Sequence, residues 1–292
     1  MKHRRASLAL ACVSAVASLA PAAQVADVVR SGYAEAQGGR IYYEASGLGP
    51  HVVFLSGGNW MDLGEWDGQF IALSRSFQVI RYDARGSGRS DAPVAEISRV
   101  LDLVALLDAL RLGQVHLVGL SRTADVALDF ALAYPDRVLS LVLVSPIVGG
   151  WEPSEEYRRR EVALVSVLHK SGAKAFAEAA LDDPYLVPSG GRRKAARLLR
   201  ANAERVLSPK PSAGPAPVTP TIGRLAEIRA PVLIILGEED DPEILRLGDV
   251  LVSGLKAARR EILRGAGHSV NLERARKLNK VVKDFLLGPR AR

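Results

Sequence analysis

Residues 115–136 read VHLVGLSRTADVALDFALAYPD, and the fold follows from the way this stretch changes its period. Val115, Leu117 and Val118 belong to a short apolar run, the pattern of a buried strand. Ala124, Ala127, Leu128, Ala131 and Leu132 then recur at helical spacing, with Asp125 and Asp129 off that face. A strand therefore gives way to a helix around Ser121, at the centre of Gly119-Leu120-Ser121-Arg122-Thr123. Such a turn strains the serine backbone, lifts its Oγ clear of the main chain and sets it over a helix N-terminus. That is a nucleophile's position. The usual form of the turn is Gly-x-Ser-x-Gly. Here Thr123 stands in the second glycine's place, so a β-branched side chain must find room there.

Working outward, residues 32–36 and 40–44 are two short alternating runs about Gly38-Gly39, which predicts a β-hairpin at an edge. Residues 51–55 (HVVFL), 78–82, 138–144 and 231–236 are continuous apolar runs, the signature of strands buried on both faces of a parallel sheet. Between them the periodicity predicts helices over 62–74, with Trp66, Phe70 and Leu73 on one face, and over 98–112, ended by Gly113. A helix over 243–257, a short strand at 261–263 and a closing helix over 272–287 complete the pattern. Leu278, Val281, Val282 and Phe285 form the core face of that last helix. The alternation breaks once, after Pro146: residues 155–178 and 192–206 are helix-prone, and the proline-rich 209–220 follows. We read a doubly wound, mostly parallel α/β sheet with an inserted helical cap. The organisation is a core over 23–146 and 229–292, with cap and linker at 147–228.

At 292 residues the chain is long enough to bury a substantial core. It opens with basic MKHRR, followed by an apolar run over 6–20 that is too short and small-residued to span a bilayer. Ala20 and Ala22 are spaced for a signal peptidase, so residues 1–22 read as a secretory signal peptide and the protein as exported, periplasmic or secreted, without stable membrane insertion once the leader is gone. The single cysteine, Cys12, lies in that leader, so the mature chain has no thiol to oxidise. Loss of Lys2, Arg4 and Arg5 takes the net charge from +7 to +4, and no basic stripe interleaved with aromatics points to nucleic acid. Arg192, Arg193, Lys194, Arg197 and Arg200 spread around one helix as a solvated face. The loop at 83–90 (DARGSGRS) lacks the third glycine of a dinucleotide site and the Gly-Lys-Ser/Thr of a P-loop.

A serine hydroxyl needs a base within reach and a group to orient that base. Of five histidines, His268 follows a strand directly in Gly265-Ala266-Gly267-His268-Ser269, where two glycines permit a sharp turn. Carboxylates follow the 231–236 strand in Gly237-Glu238-Glu239-Asp240-Asp241-Pro242. The chain order is serine, aspartate, histidine. No His, Asp or Glu pair shows metal-ligand spacing on one face, and nothing calls for a cofactor.

On these residues the chain resembles the α/β-hydrolase superfamily over about 32–288, in its capped branch of esterases, lactonases and carbon–carbon bond hydrolases. The resemblance implies Ser121 as nucleophile, His268 as general base and Asp240, three after Gly237, as the acid, with the adjacent Asp241 as runner-up. It implies an oxyanion hole from the backbone N–H groups of Arg122 and Gly58, the latter in Ser56-Gly57-Gly58 where the family usually has His-Gly-x. It makes the 83–90 loop structural. Asn59 and Trp60 follow the oxyanion loop and are candidates for the substrate pocket, and the Arg122 side chain is placed to meet a substrate carboxylate or solvent. The implied activity is hydrolysis of a small carboxylic ester or lactone through an acyl-enzyme, falling on acidification through roughly pH 6 to 7. Its rivals are a carbon–carbon bond hydrolase on the same triad and a non-catalytic ligand binder.

Overall fold

Strand residues that alternate between two buried faces explain why the apolar runs are continuous. The computed structural model describes residues 28–56, 61–93, 96–187, 190–206 and 220–288. The hairpin β1 (Arg30–Ala36) and β2 (Gly39–Ser46) pairs antiparallel, turning through Gln37 and Gly38, both at positive φ. β3 (His51–Leu55) is followed by a 3-10 turn at Leu63–Trp66, α1 (Asp67–Leu73), β4 (Gln78–Tyr82) and α2 (Arg99–Ala109). β5 (Val115–Leu120), α3 (Arg122–Ala133) and β6 (Val138–Val144) come next, then the helical segment α4 (Glu155–Asp182) and α5 (Arg192–Val206). β7 (Val232–Gly237), α6 (Pro242–Gly254), β8 (Ala258–Leu263), α7 (Val270–Glu273) and α8 (Ala275–Leu287) close the described chain.

The strands form one sheet in the order β1-β2-β4-β3-β5-β6-β7-β8, parallel from β4 to β8. Along the central strands, Val53, Leu55, Leu117, Leu141, Leu143, Val232, Ile234 and Leu236 enter one core. Their neighbours Val52, Phe54, Val118, Leu120, Val142, Val144, Leu233 and Ile235 enter the other. Because side chains alternate along a strand, a sheet covered on both faces must be apolar at every position. The outer strand β8 carries exposed Arg259, Arg260 and Glu261, charges that discourage pairing with another chain.

The expected elements are present, with differences at their ends. The 62–74 helix is a 3-10 turn joined to α1, and the closing helix is α7 and α8. α2 ends at Ala109, with Arg111 left-handed just beyond its cap, rather than at Gly113. In the 83–90 loop, Asp83 is buried and accepts from the N–H groups of Leu63 and Arg89, both at 2.8 Å. Burial pushes its carboxyl up to about 6 against those bonds. The loop is a structural clamp between the β3 and β4 connections. The proline-rich linker and the leader lie outside the described residues. No described helix is long and apolar enough to cross a membrane.

Candidate active site

Ser121 stands between β5 and α3 at φ 55, ψ −126, a left-handed backbone that non-glycine residues hold at a cost of about 1–3 kcal/mol. The surrounding chain holds it there. Its N–H donates to Val144 O at 2.9 Å, and its carbonyl accepts from Ala124 N at 3.0 Å and Ile147 N at 3.1 Å. Gly119 is sterically required: a methyl there would stand 2.6 Å from the Thr123 carbonyl oxygen and 2.8 Å from the Ala124 nitrogen. Thr123 fits because its hydroxyl completes the turn. Its Oγ1 accepts from Leu120 N at 2.9 Å and donates to Leu120 O at 2.8 Å, in a buried position. The N–H of Arg122, first residue of α3, belongs to the helix turn whose donors have no intrahelical acceptor.

Two strand ends away, His268 Nδ1 meets Asp240 Oδ1 at 3.1 Å, with the side chains 12% and 0% exposed. Asp240 Oδ1 also accepts from Asp241 N at 2.8 Å, while its Oδ2 is buried with no hydrogen-bond partner among the described residues. An Nδ1–H donated to Asp240 leaves the Nε2 lone pair free to act as a base. Burial opposes the imidazolium, but the carboxylates of Asp240, Asp241 and Asp183 outweigh it and hold His268 above its ordinary range. Asp241 is engaged elsewhere: it caps α6 through Glu243 N at 2.8 Å and bonds Arg160. The adjacent carboxylates left open by the chain order are thus separated by geometry. The loops are close-fitted, since a methyl on Gly237 would stand 2.2 Å from Gly267 O and 2.3 Å from Ala266 O.

Ser121, Arg122, Asp240, Asp241 and His268 line one cavity of about 1040 Å³, including its open mouth. Among the described residues no hydrogen bond joins the Ser121 hydroxyl to the His268 ring. Leu120, Ile147, Leu164, Leu186, Val187 and Ile244 make most of the wall apolar. Gly58, Asn59 and Trp60 lie outside the described residues. The Arg122 side chain is 55% exposed at the rim and pairs with Glu161 of α4 at 2.9 Å.

The sequence reading passed over the roof of this cavity. Tyr157, Arg160, Glu161 and Leu164 of α4 all line it, at i, i+3, i+4 and i+7. Asp183 and Tyr185 follow from the loop after α4. That spacing is visible in the sequence, but a stripe mixing aromatic, charged and apolar residues has no core signature. Only the cavity beneath it gives the stripe a meaning. Among the described residues no three His, Cys, Asp or Glu side chains stand close enough to hold a metal ion.

Residues 52–281 match the sequence pattern of the Alpha/beta hydrolase family. The chain is 30% identical over 281 residues to the 2-hydroxy-6-oxononadienedioate/2-hydroxy-6-oxononatrienedioate hydrolase of Paraburkholderia xenovorans, covering 88% of this chain and 93% of that protein. Among solved structures it resembles the enol-lactonase of Burkholderia xenovorans at TM-score 0.72 and 26% identity, over 87% of this chain and 99% of the other. The carboxylesterase CesB of Bacillus subtilis shares the fold at TM-score 0.75 and 23% identity, over 91% and 94% of the two chains.

Proposed function

Because the chain belongs to the Alpha/beta hydrolase family, we propose that it is a serine hydrolase that cleaves a small carboxylic ester or lactone through Ser121, His268 and Asp240. The observation that carries this reading is a strained, non-glycine Ser121 opening into the same cavity as a histidine bonded to a buried aspartate. His268 takes the hydroxyl proton as Ser121 Oγ attacks the carbonyl carbon, and Asp240 holds the ring and offsets its positive charge. The Arg122 and Gly58 N–H groups receive the developing oxyanion; losing one such donor costs about 2.7–4 kcal/mol of transition-state stabilisation. The imidazolium returns its proton to the leaving alkoxide. Water activated by the same ring then cleaves the acyl-enzyme to carboxylic acid and free serine.

The Paraburkholderia relative acts, by its name, on a dioate, which carries two carboxylates. Here both guanidinium groups in the cavity are ion-paired with protein carboxylates, Arg122 with Glu161 and Arg160 with Asp241, with Asp183 3.7 Å from its Nε. A doubly anionic substrate would have to displace one of those pairs, so an uncharged ester or lactone is the better match to the mostly apolar wall. The same reading takes residues 1–22 as a leader that exports the protein.

A fluorophosphonate probe should label the folded protein, and Ser121→Ala should abolish labelling and reduce kcat/KM on short-chain aryl esters by about ten-thousandfold or more. A folded protein that neither labels nor turns over any member of a panel of aryl esters and lactones would be a ligand binder, and the hydrolase reading would fail.

A further inference from the structure

We propose that Arg160 is a positioning residue that draws Asp241 and Asp183 onto the cap helix α4 and leaves Asp240 as the carboxylate bonded to the His268 ring. The inference rests on the triad reading above. It starts from a crowd of acids: Asp240 and Asp241 arrive from the loop after β7, and Asp183 from the loop after α4. All three lie where the imidazole must change charge, and all three favour its protonated form. A base surrounded in this way holds its proton too tightly to work near neutrality unless some of that negative charge is answered.

Arg160 answers it with one hydrogen bond and one longer ion pair. Its Nη2 bonds Asp241 Oδ2, its Nε stands 3.7 Å from Asp183 Oδ2, and the guanidinium lies 4.5 Å from the centre of the Tyr185 ring. The far sides of these partners reach the histidine loop. Asp183 Oδ1 accepts from the N–H groups of Tyr185 at 2.9 Å and Leu186 at 3.2 Å. The carbonyls of Tyr185 and Leu186 in turn accept from His268 N at 2.9 Å and Ser269 N at 3.1 Å. One side chain of α4 thus joins the carboxylate loop, the cap loop and the backbone of the histidine.

The other charged and titratable groups facing this site do not duplicate its role. Arg122, at the start of α3, is paired with Glu161 of α4. Tyr157 of α4 stays neutral, burial and nearby carboxylates pushing its phenol far up. Glu65 of the 3-10 turn lines the opposite wall, and Glu273 of α7 accepts from Gly267 N at 3.0 Å. Of the carboxylates named above as raising the basicity of His268, Arg160 contacts Asp241 and Asp183 and not Asp240.

The test is the pH dependence of kcat/KM on a neutral aryl ester for Arg160→Gln, Arg160→Lys, Asp241→Asn and the Arg160→Gln/Asp241→Asn double variant. Removing the cation should move the acid limb of Arg160→Gln upward by about half to one pH unit, the size expected for a unit charge near a partly screened imidazole. Asp241→Asn, which keeps a competent cap on α6, should move the limb downward. The double variant should fall between the two, and Arg160→Lys should lie close to the unchanged protein. An unmoved limb in Arg160→Gln with only kcat reduced would make Arg160 a structural strut and overturn the proposal. Should Arg160→Gln not fold, the comparison of Asp241→Asn with the double variant decides, equal limbs in the two sinking the idea. NMR titration of the His268 ring reads the same shifts without turnover. A protein that neither labels nor turns over any aryl ester or lactone would therefore end the hydrolase reading while leaving the Arg160 inference decided by the ring.

Discussion

Thr123 is the residue at which this chain departs from the usual elbow, and its hydroxyl explains how the departure is tolerated. Glycine is usual there because the position is crowded, yet a threonine that bonds both the N–H and the carbonyl of Leu120 turns crowding into support. Thr123→Val keeps the shape and removes both bonds in a buried site, so urea denaturation should show a loss of about 1–3 kcal/mol, whereas Thr123→Ser should lose less. His268 supplies the second prediction. The proposed triad needs the neutral ring, and nearby carboxylates outweigh the ring's burial and raise its basicity above that of an ordinary histidine. The acid limb of kcat/KM on an aryl ester should therefore lie above the ordinary value of about 6.5. A limb below 6.5 would contradict the arrangement of acids around the ring.

Helix α4 shows how one element carries both roof and strain. It is broken at Gly172, whose φ of 81 and ψ of 177 only glycine adopts readily. A Cβ there would meet nothing within 4 Å, so the penalty for alanine is purely conformational. Alanine would cost about 1–3 kcal/mol held at that geometry, or would straighten the helix. Straightening would move Ala180 and Asp183 relative to Tyr157, Arg160 and Leu164, on opposite sides of the break and all lining the cavity. Gly172→Ala should accordingly raise KM severalfold with little change in kcat. Steady-state kinetics that leave KM unchanged would mean the break has no part in shaping the pocket. The basic face of α5 has an equally local explanation: Arg192, Lys194, Arg197 and Arg200 pair with Asp182, Asp67, Asp67 and Glu178.

Taken whole, the molecule is a two-faced sheet whose strand-end loops line one cavity together with residues of α4. Two hydrophobic cores, one on each face, fix the spacing of β5, β7 and β8. Residues on three separate loops therefore meet at one cavity without depending on loop stiffness alone. Export belongs to the whole chain as well. If residues 1–22 form a leader, mass spectrometry of the protein recovered from outside the cytoplasm should give an N-terminus near residue 23, with Cys12 gone. A chain recovered with its first residues intact would remove that reading and leave the fold untouched.

The strands, their order of appearance, and the strand-end positions of Ser121, His268 and a pair of adjacent carboxylates were readable from residue patterns, because burial on two faces and a strand-to-helix turn each leave a local periodicity. The choice between Asp240 and Asp241 was not, since neighbouring carboxylates differ only in what surrounds them: one meets an imidazole and the other an arginine from α4, far off in the chain. The meaning of Arg160 and the raised basicity of His268 were hidden for the same reason. Hydrophobic periodicity is written along the chain, whereas electrostatics depends on which distant segments are packed within a few ångströms of one another.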